Sequence, residues 1–444
     1  MASLSGRSDA ETGLNASAER LHDRLATAID ALVPTINDLF ATIARSSADQ
    51  VGVTRDAYGA RETAAGDILI EFARCQKLEA GYDRVGNLIV TPSVRSEHAG
   101  EVLIGSHLDS VPRGGNYDGL AGVVAGIAVL SAMQQASLSP KAALRVLGFR
   151  GEESPWFGTA YLGSKLFLDL LTQSDLETLR RFDTGKTLAE HMRALGLDLS
   201  TVGKGPVRSL GGVKAYLELH IEQGPLLEAI DRPVGLATAV RGNIRYPFAK
   251  CFGRYAHSAA VPRYLRADAL MATAKLVAFA DDCWRSLIDA GHDDLVFTCG
   301  IFHTDAAEQA MTKVPGEVTF SLNIGGIHDE IMQQMHSSVM RRAEELASEH
   351  HVKFKFGPRV GTGAVALNKE LLQIIKDTGN EVGIPLYLLP TVGHDAAMFA
   401  RNGVPSSVIL VRNTNSSHNP DEHMEMEDFI LALKVLGSAV LKLC

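Results

Sequence analysis

The chain has 444 residues, of which 46% are hydrophobic and 21% charged, with a formal net charge of −9. That length suits two domains, or one large domain with an insertion, and the composition is ordinary for a globular protein. The acidic balance argues against nucleic-acid and anionic-membrane partners, and no run of about 18 apolar residues offers a membrane span. Residues 1–20 lack the apolar core of a secretory signal. Cys75, Cys251, Cys283, Cys299 and Cys444 are scattered and odd in number, with neither a disulfide framework nor a Cys-x-x-Cys site, so a reducing cytoplasm is expected.

Residues 1–17 are small and polar and read as a flexible tail. Across 18–45 the residues Leu21, Leu25, Ile29, Leu32, Ile36 and Leu39 recur every three or four positions, which predicts an amphipathic helix broken near Pro34. A second helix is expected over 56–76, burying Ile68, Leu69, Phe72 and Ala73, followed by two short strands around Gly86-Asn87. The apolar run Val102-Leu103-Ile104 predicts a buried strand carrying His107 and Asp109 at its C-terminal end. Two positions apart on an extended backbone, they point the same way. Imidazole beside carboxylate is the usual pairing of a metal ligand with the group that orients it, although alone it also fits a polar strand end. Asp118 follows in a Gly-rich turn, ahead of an apolar helix over 121–136 and a buried strand over 142–149.

Glu152 and Glu153 come directly after that strand. Adjacent carboxylates at a buried edge repel unless metal or protons compensate. With a metal present, one can ligate and the other can serve as general base. Further on, an alternating strand puts Glu218, His220 and Glu222 on one face before a Gly-Pro stop. From 235 to 350 the pattern becomes strand, strand, helix, strand, strand, helix, with strands over 241–255, 294–302 and 316–324 and helices over 267–280 and 329–350. This reads as an α+β domain inserted into an α/β domain made of 18–234 and 351–444, with 352–356 returning to the first domain. The insertion carries His257; beyond it, His394 opens a helix and His418 stands past the apolar strand 407–411.

His107, Asp118, Glu152, Glu153, His220 and His418 thus fall in loops after separate predicted strands, where α/β sheets place their sites. Mixed imidazole and carboxylate donors suit Zn²⁺, Mn²⁺, Co²⁺ or Ni²⁺, and Asp118, central in the set, can bridge two ions. Neither a phosphate-binding loop nor a Gly-x-Ser-x-Gly nucleophile elbow is present.

The blocks GSHLDSVPRGGNYDG, GEES, LELHIEQGP, AHSAAVP, GHDA and SHNPDEH resemble those of the N-carbamoyl-L-amino acid hydrolases, with β-ureidopropionase and allantoate amidohydrolase. This group belongs to the di-metal superfamily of aminoacylases and carboxypeptidases, and the likeness spans about 51–428. It implies a di-metal exopeptidase-like α/β catalytic domain, a mixed sheet flanked by helices, with an inserted α+β dimerisation or lid domain. A homodimer through that insertion is implied too. So are two divalent metal ions per subunit, with His107, Glu153, His220 and His418 as single-metal ligands, Asp118 as the bridge and Asp109 orienting His107. By the same resemblance Glu152 is the general acid/base, His257 from the neighbouring subunit stabilises the oxyanion, and Gln223 and His394 line the substrate site.

The chain departs from the pattern at Thr312 and Gly325, where relatives carry an Asn and an Arg that hold the substrate's carboxylate. Either Arg241, Arg266, Arg113 or Arg263 substitutes, or the substrate is atypical, which is the reading preferred. The expected activity is metal-dependent hydrolysis of a linear amide or ureido (N-carbamoyl) C–N bond in a small molecule. Alternatives are an aminoacylase or peptidase cleaving an acyl amide, and a metal-dependent binding protein without catalysis, which the intact Glu152-Glu153 pair disfavours.

Overall fold

Four apolar strands, Glu101–His107, Ala143–Phe149, Val213–Ile221 and Ser406–Val411, are buried along most or all of their length. They run parallel to their neighbours, so their C-terminal ends share one edge. In the computed structural model, which describes residues 6–93 and 100–444, they form the middle of a mixed sheet. The hairpin Leu78–Tyr82 and Leu88–Pro92 adds antiparallel to Ala143–Phe149, and Val234–Val240 adds antiparallel to Ser406–Val411. Continuous apolar runs are what a sheet covered on both faces requires. Helix Leu120–Gln135 is buried from Leu120 to Met133 and joins helices Gly6–Ser46 and Met426–Leu443 in the same core. Its close seat on the sheet depends on Gly122, where a Cβ would lie 2.1 Å from the Leu219 carbonyl oxygen.

The first helix, Gly6–Ser46, begins inside the stretch expected as a tail and runs through Pro34 without the expected break. Leu25, Ile29, Leu32, Ile36 and Leu39 are buried on both sides of that proline, which outweighs the roughly 3 kcal/mol an internal proline costs a helix. Leu21 is the exception, 40% exposed. The second helix is Ala60–Cys75, with Leu69, Phe72 and Ala73 buried as expected and Ile68 only partly so.

The chain divides into two units, one of Met1–Thr238, Leu367–Leu389 and His394–Cys444, the other of Ala239–Ala366 and Pro390–Gly393. Within the second, Phe302–His303, Glu317–Gly326, Gly242–Phe252 and Lys353–Lys355 form an antiparallel sheet, with Val296–Thr298 also on Glu317–Gly326. Helices Ala269–Asp289 and Asp329–His350 pack Leu276, Met332, Met335 and Val339 onto Val318, Phe320, Leu322 and Ile324. Two expectations are corrected here. Lys353–Lys355 does not return to the first sheet but pairs with Gly242–Phe252, and the predicted strand 294–302 is two short pieces. Val234–Val240 in turn pairs in the first sheet, so the second unit starts later than residue 235.

Helices Leu162–Phe167, Gln173–Thr178 and Leu188–Ala194 were not expected; they surround a small core of their own with Trp156 and Phe157. Two of them start with reciprocal caps, Thr172 with Asp175 and Thr187 with Glu190, a signature present in the sequence.

Candidate metal centre

Because the four parallel strands end at one edge, the loops after them converge. Asp118 stands in the middle. Its Oδ1 lies 3.4 Å from His107 Nε2 and 3.3 Å from His220 Nε2. Its Oδ2 lies 3.4 Å from His418 Nε2, which is 3.2 Å from Glu153 Oε1. Within each of these two triads the donor atoms all lie within 4.8 Å of one another.

The other ring nitrogens decide what faces inward. His107 Nδ1 is 3.1 Å from the Asp109 carbonyl oxygen, and His220 Nδ1 is 2.9 Å from that of Ile221. A carbonyl only accepts, so the proton is on Nδ1 in both rings and Nε2 presents a lone pair. The Gly119 N–H, donating to His220 Nε2 at 3.2 Å, requires the same tautomer. Two bare Nε2 atoms then lie 3.3 Å apart beside Asp118 Oδ1, which is buried and lacks a hydrogen-bond donor. Lone pairs gathered in this way repel unless a cation or proton sits among them. The donor set therefore fits a divalent cation in each triad, with Asp118 offering one oxygen to each.

The electrostatics carry the same message. Burial pushes the His107 imidazole down, but the carboxylates of Asp109, Asp118 and Glu152 beside it favour the protonated ring and outweigh burial, so its pKa stands well above the usual value. Hydrogen bonds to Asp118 and Glu153 push His418 up to about 11. Burial raises the Glu152 carboxyl well above the ordinary range against the pull of His107, with Glu153 and Asp395 adding to the rise. Asp118 is buried as well, yet the imidazoles of His107, His220 and His418 around it, which favour its charged form when they carry protons, hold it well below that range.

Several buried side chains hold this arrangement. Asp109 accepts the backbone N–H groups of Glu152 and Glu153 at 2.9 and 3.1 Å. The two glutamates then diverge, Glu153 to His418 and Glu152 to within 4.0 Å of His107 Nε2. Just before them Gly151, at φ +61°, donates to Glu62, which also pairs with Arg150 at 2.8 Å. Glu422 accepts from the backbone of Tyr117 and Asp118 at 2.9 and 3.2 Å, and the Ser417 hydroxyl sits between Glu422 and Asp118 Oδ2. Glu62 and Arg150 lie outside every block singled out in the sequence, and Ser417 and Glu422 fall inside SHNPDEH without a role being read for them there; Glu62, Arg150 and Glu422 are buried and Ser417 half-buried.

Of the expected substrate residues, two lie in this centre. The Gln223 amide donates to Asp118 Oδ2 at 2.7 Å from a left-handed backbone, φ +66°. His394 is buried with its ring centroid 4.3 Å from that of His220, and burial together with His220 holds its pKa well below the usual value. The other four candidates belong to the second unit. His257 is exposed in the short strand Ala256–His257, paired with Lys313–Val314. Arg266 donates to the carbonyls of Val261 and Ser258, and Arg241 to those of Asp294 and Pro390. Thr312 is exposed and its carbonyl accepts from Ser258 at 2.8 Å.

Residues 103–442 match the family described as Peptidase family M20/M25/M40. The N-carbamoyl-L-amino acid amidohydrolase of Geobacillus stearothermophilus is 32% identical, over 88% of this chain and 93% of that protein. The allantoate amidohydrolase of Bacillus subtilis is 27% identical, over 82% and 86%. A solved structure of a hydantoinase/carbamoylase family amidase from Burkholderia multivorans superimposes with a TM-score of 0.83 at 25% identity, covering 93% of this chain and 97% of that one.

Proposed function

Because the chain belongs to peptidase family M20/M25/M40, we propose that it is a metal-dependent amidohydrolase that cleaves the C–N bond of a small linear amide or N-carbamoyl compound. The observation that carries this reading is Asp118 set between two triads with Glu152 beside them. His107 and His220 with one Asp118 oxygen, and Glu153 and His418 with the other, would each hold one divalent ion. Zn²⁺, Mn²⁺, Co²⁺ and Ni²⁺ all suit such donors. When bound, the ions supply Lewis acidity that polarises the scissile carbonyl and acidifies the attacking water.

Glu152 takes the proton from that water and passes it to the departing nitrogen; its raised pKa lets it hold the proton in between. Gln223 and His394 line the substrate's place beside the ions. His257, supplied by a second copy of the chain, donates to the developing oxyanion. The exposure of Tyr264, Leu265 and Met311 in the same unit favours a homodimer that covers them. Among the described residues no helix is long and apolar enough to cross a membrane. The five free cysteines favour a cytoplasmic setting.

The substrate departs from an ordinary N-carbamoyl α-amino acid. Gly325 carries no guanidinium, a Cβ there would press on Val296 Cγ2 at 2.9 Å and the Gly242 carbonyl at 3.2 Å, and Thr312 offers no amide, so the resemblance's expected carboxylate clamp is missing. The test is hydrolysis of carbamoyl, acyl and simple amide compounds, each with and without a carboxylate, by stripped enzyme resupplied with each metal. Turnover confined to carboxylate-bearing carbamoyl compounds would refute the atypical substrate. Turnover confined to acyl amides would make the chain an aminoacylase, and none at all would refute the amidohydrolase reading.

A further inference from the structure

Arg55 is wholly buried, yet among the described residues no carboxylate pairs with its guanidinium. Its partners are neutral oxygens. Nε donates to the Leu108 carbonyl at 2.7 Å and Nη1 to Asn116 Oδ1 at 3.2 Å. Nη2 reaches the carbonyls of Asn116 at 3.3 Å and Asp118 at 3.4 Å. The Arg55 backbone N–H donates to Ser110 Oγ at 2.9 Å, and Asn116 is itself anchored to the Phe40 carbonyl at 3.1 Å.

A buried, unpaired guanidinium is strongly unfavourable unless its surroundings compensate. Here the compensation comes from the metal centre. Glu422, Asp109, Asp118 and Glu153 are the charges that oppose the effect of burial on Arg55. The carbonyls it grips lie at both ends of one connection, between strand Glu101–His107 and helix Leu120–Gln135: Leu108 stands at its start, between His107 and Asp109, and Asp118 near its end. One rigid fork therefore ties together the two ends of the connection that supplies His107 and Asp118 to the first triad.

We propose that Arg55 is a positioning residue for metal binding: it holds His107 and Asp118 at the separation a shared cation requires and adds the positive charge that the carboxylates need. The proposal rests on the two-metal reading above.

The test is a Zn²⁺ titration of chelator-stripped protein, wild type against Arg55→Lys, alongside melting curves with and without Zn²⁺. Lysine keeps the charge but cannot span four oxygens, so the Zn²⁺ affinity should fall about tenfold or more, the size of effect seen when groups behind metal ligands are removed. A merely structural role would lower both melting temperatures alike and leave the Zn²⁺-dependent increment unchanged; a positioning role shrinks that increment. Should Arg55→Lys fail to fold, Asn116→Ala, which keeps the arginine and removes one of its acceptors, should weaken Zn²⁺ binding in the same direction. Wild-type affinity in every folded variant would overturn the proposal. A wild-type protein that binds no Zn²⁺ would overturn the metal reading beneath it.

Discussion

Asp109 Oδ1 accepts the backbone N–H of Glu152 at 2.9 Å, linking the end of one central strand to the loop after its neighbour. The second oxygen takes the N–H of Glu153 at 3.1 Å, and His107 Nδ1 lies 3.4 Å from Oδ1. A single buried carboxylate thus sets a ring and two glutamates that are more than forty residues away in the chain. In Asp109→Asn one of those N–H groups must face an amide NH₂. Metal affinity and kcat/KM should each fall about 10- to 100-fold. Wild-type values in both would remove the role assigned to Asp109.

Glu152 differs from Glu153 in facing His107 at 4.0 Å rather than pairing with His418. Glu152→Gln should therefore keep its metal content and lose kcat by about 10²- to 10⁴-fold, the usual range for a removed general base. Metal analysis beside steady-state kinetics separates the two, and full activity in this variant would sink the assignment.

His418 can ligate only when neutral, yet Asp118 and Glu153 hold its pKa at about 11. Near neutral pH, metal must displace a proton from it. Zn²⁺ binding should therefore release protons, and affinity should rise by up to about tenfold per pH unit. Titrations in buffers of different ionisation enthalpy measure this directly. The sign for the metal-free fold is opposite. A pKa raised from 6.5 to about 11 contributes stability that is complete below 6.5 and is lost as pH climbs through about 11. Melting temperature of the stripped protein should fall across that window, and the His418→Ala variant should show a shallower fall.

At Gly325 the nearest obstacle to a side chain is Val296 Cγ2, at 2.9 Å from the Cβ position. Valine is stiff, so Gly325→Ala should cost about 1–3 kcal/mol by overpacking. In a Val296→Ala background the same change should cost measurably less, since contacting residues do not add. Denaturant melts of the four proteins check this; equal costs in both backgrounds would place the strain elsewhere.

The local part of this protein is written in its sequence. Val102-Leu103-Ile104, a short run with β-branched residues, reads as a buried strand, and a sheet covered on both faces accommodates so apolar a run. His107, Glu152, Glu153, His220 and His418 could be named because each stands at or just past the C-terminal end of such a strand, His107 and His220 still within theirs, and apolar patterning is a property of neighbours in the chain. Helix Asp329–His350 matches its expected span for the same reason.

What local pattern does not contain is choice between distant partners. Lys353-Phe354-Lys355 alternates as either sheet would allow, and only its pairing with Gly242–Phe252 assigned it. Pro34 was expected to break a helix, and packing on both sides kept it whole. The grouping of His107 with His220, and of Glu153 with His418, follows from the parallel order of four strands, which no stretch of chain specifies alone. Nothing local marks Arg55 as buried, nor tells which groups Glu422 in SHNPDEH serves, until folding encloses both. The guanidinium's partners lie 53 to 63 residues from Arg55, and the backbone groups that Glu422 accepts about 300 away, and only the closed tertiary structure removes the water that would otherwise solvate them.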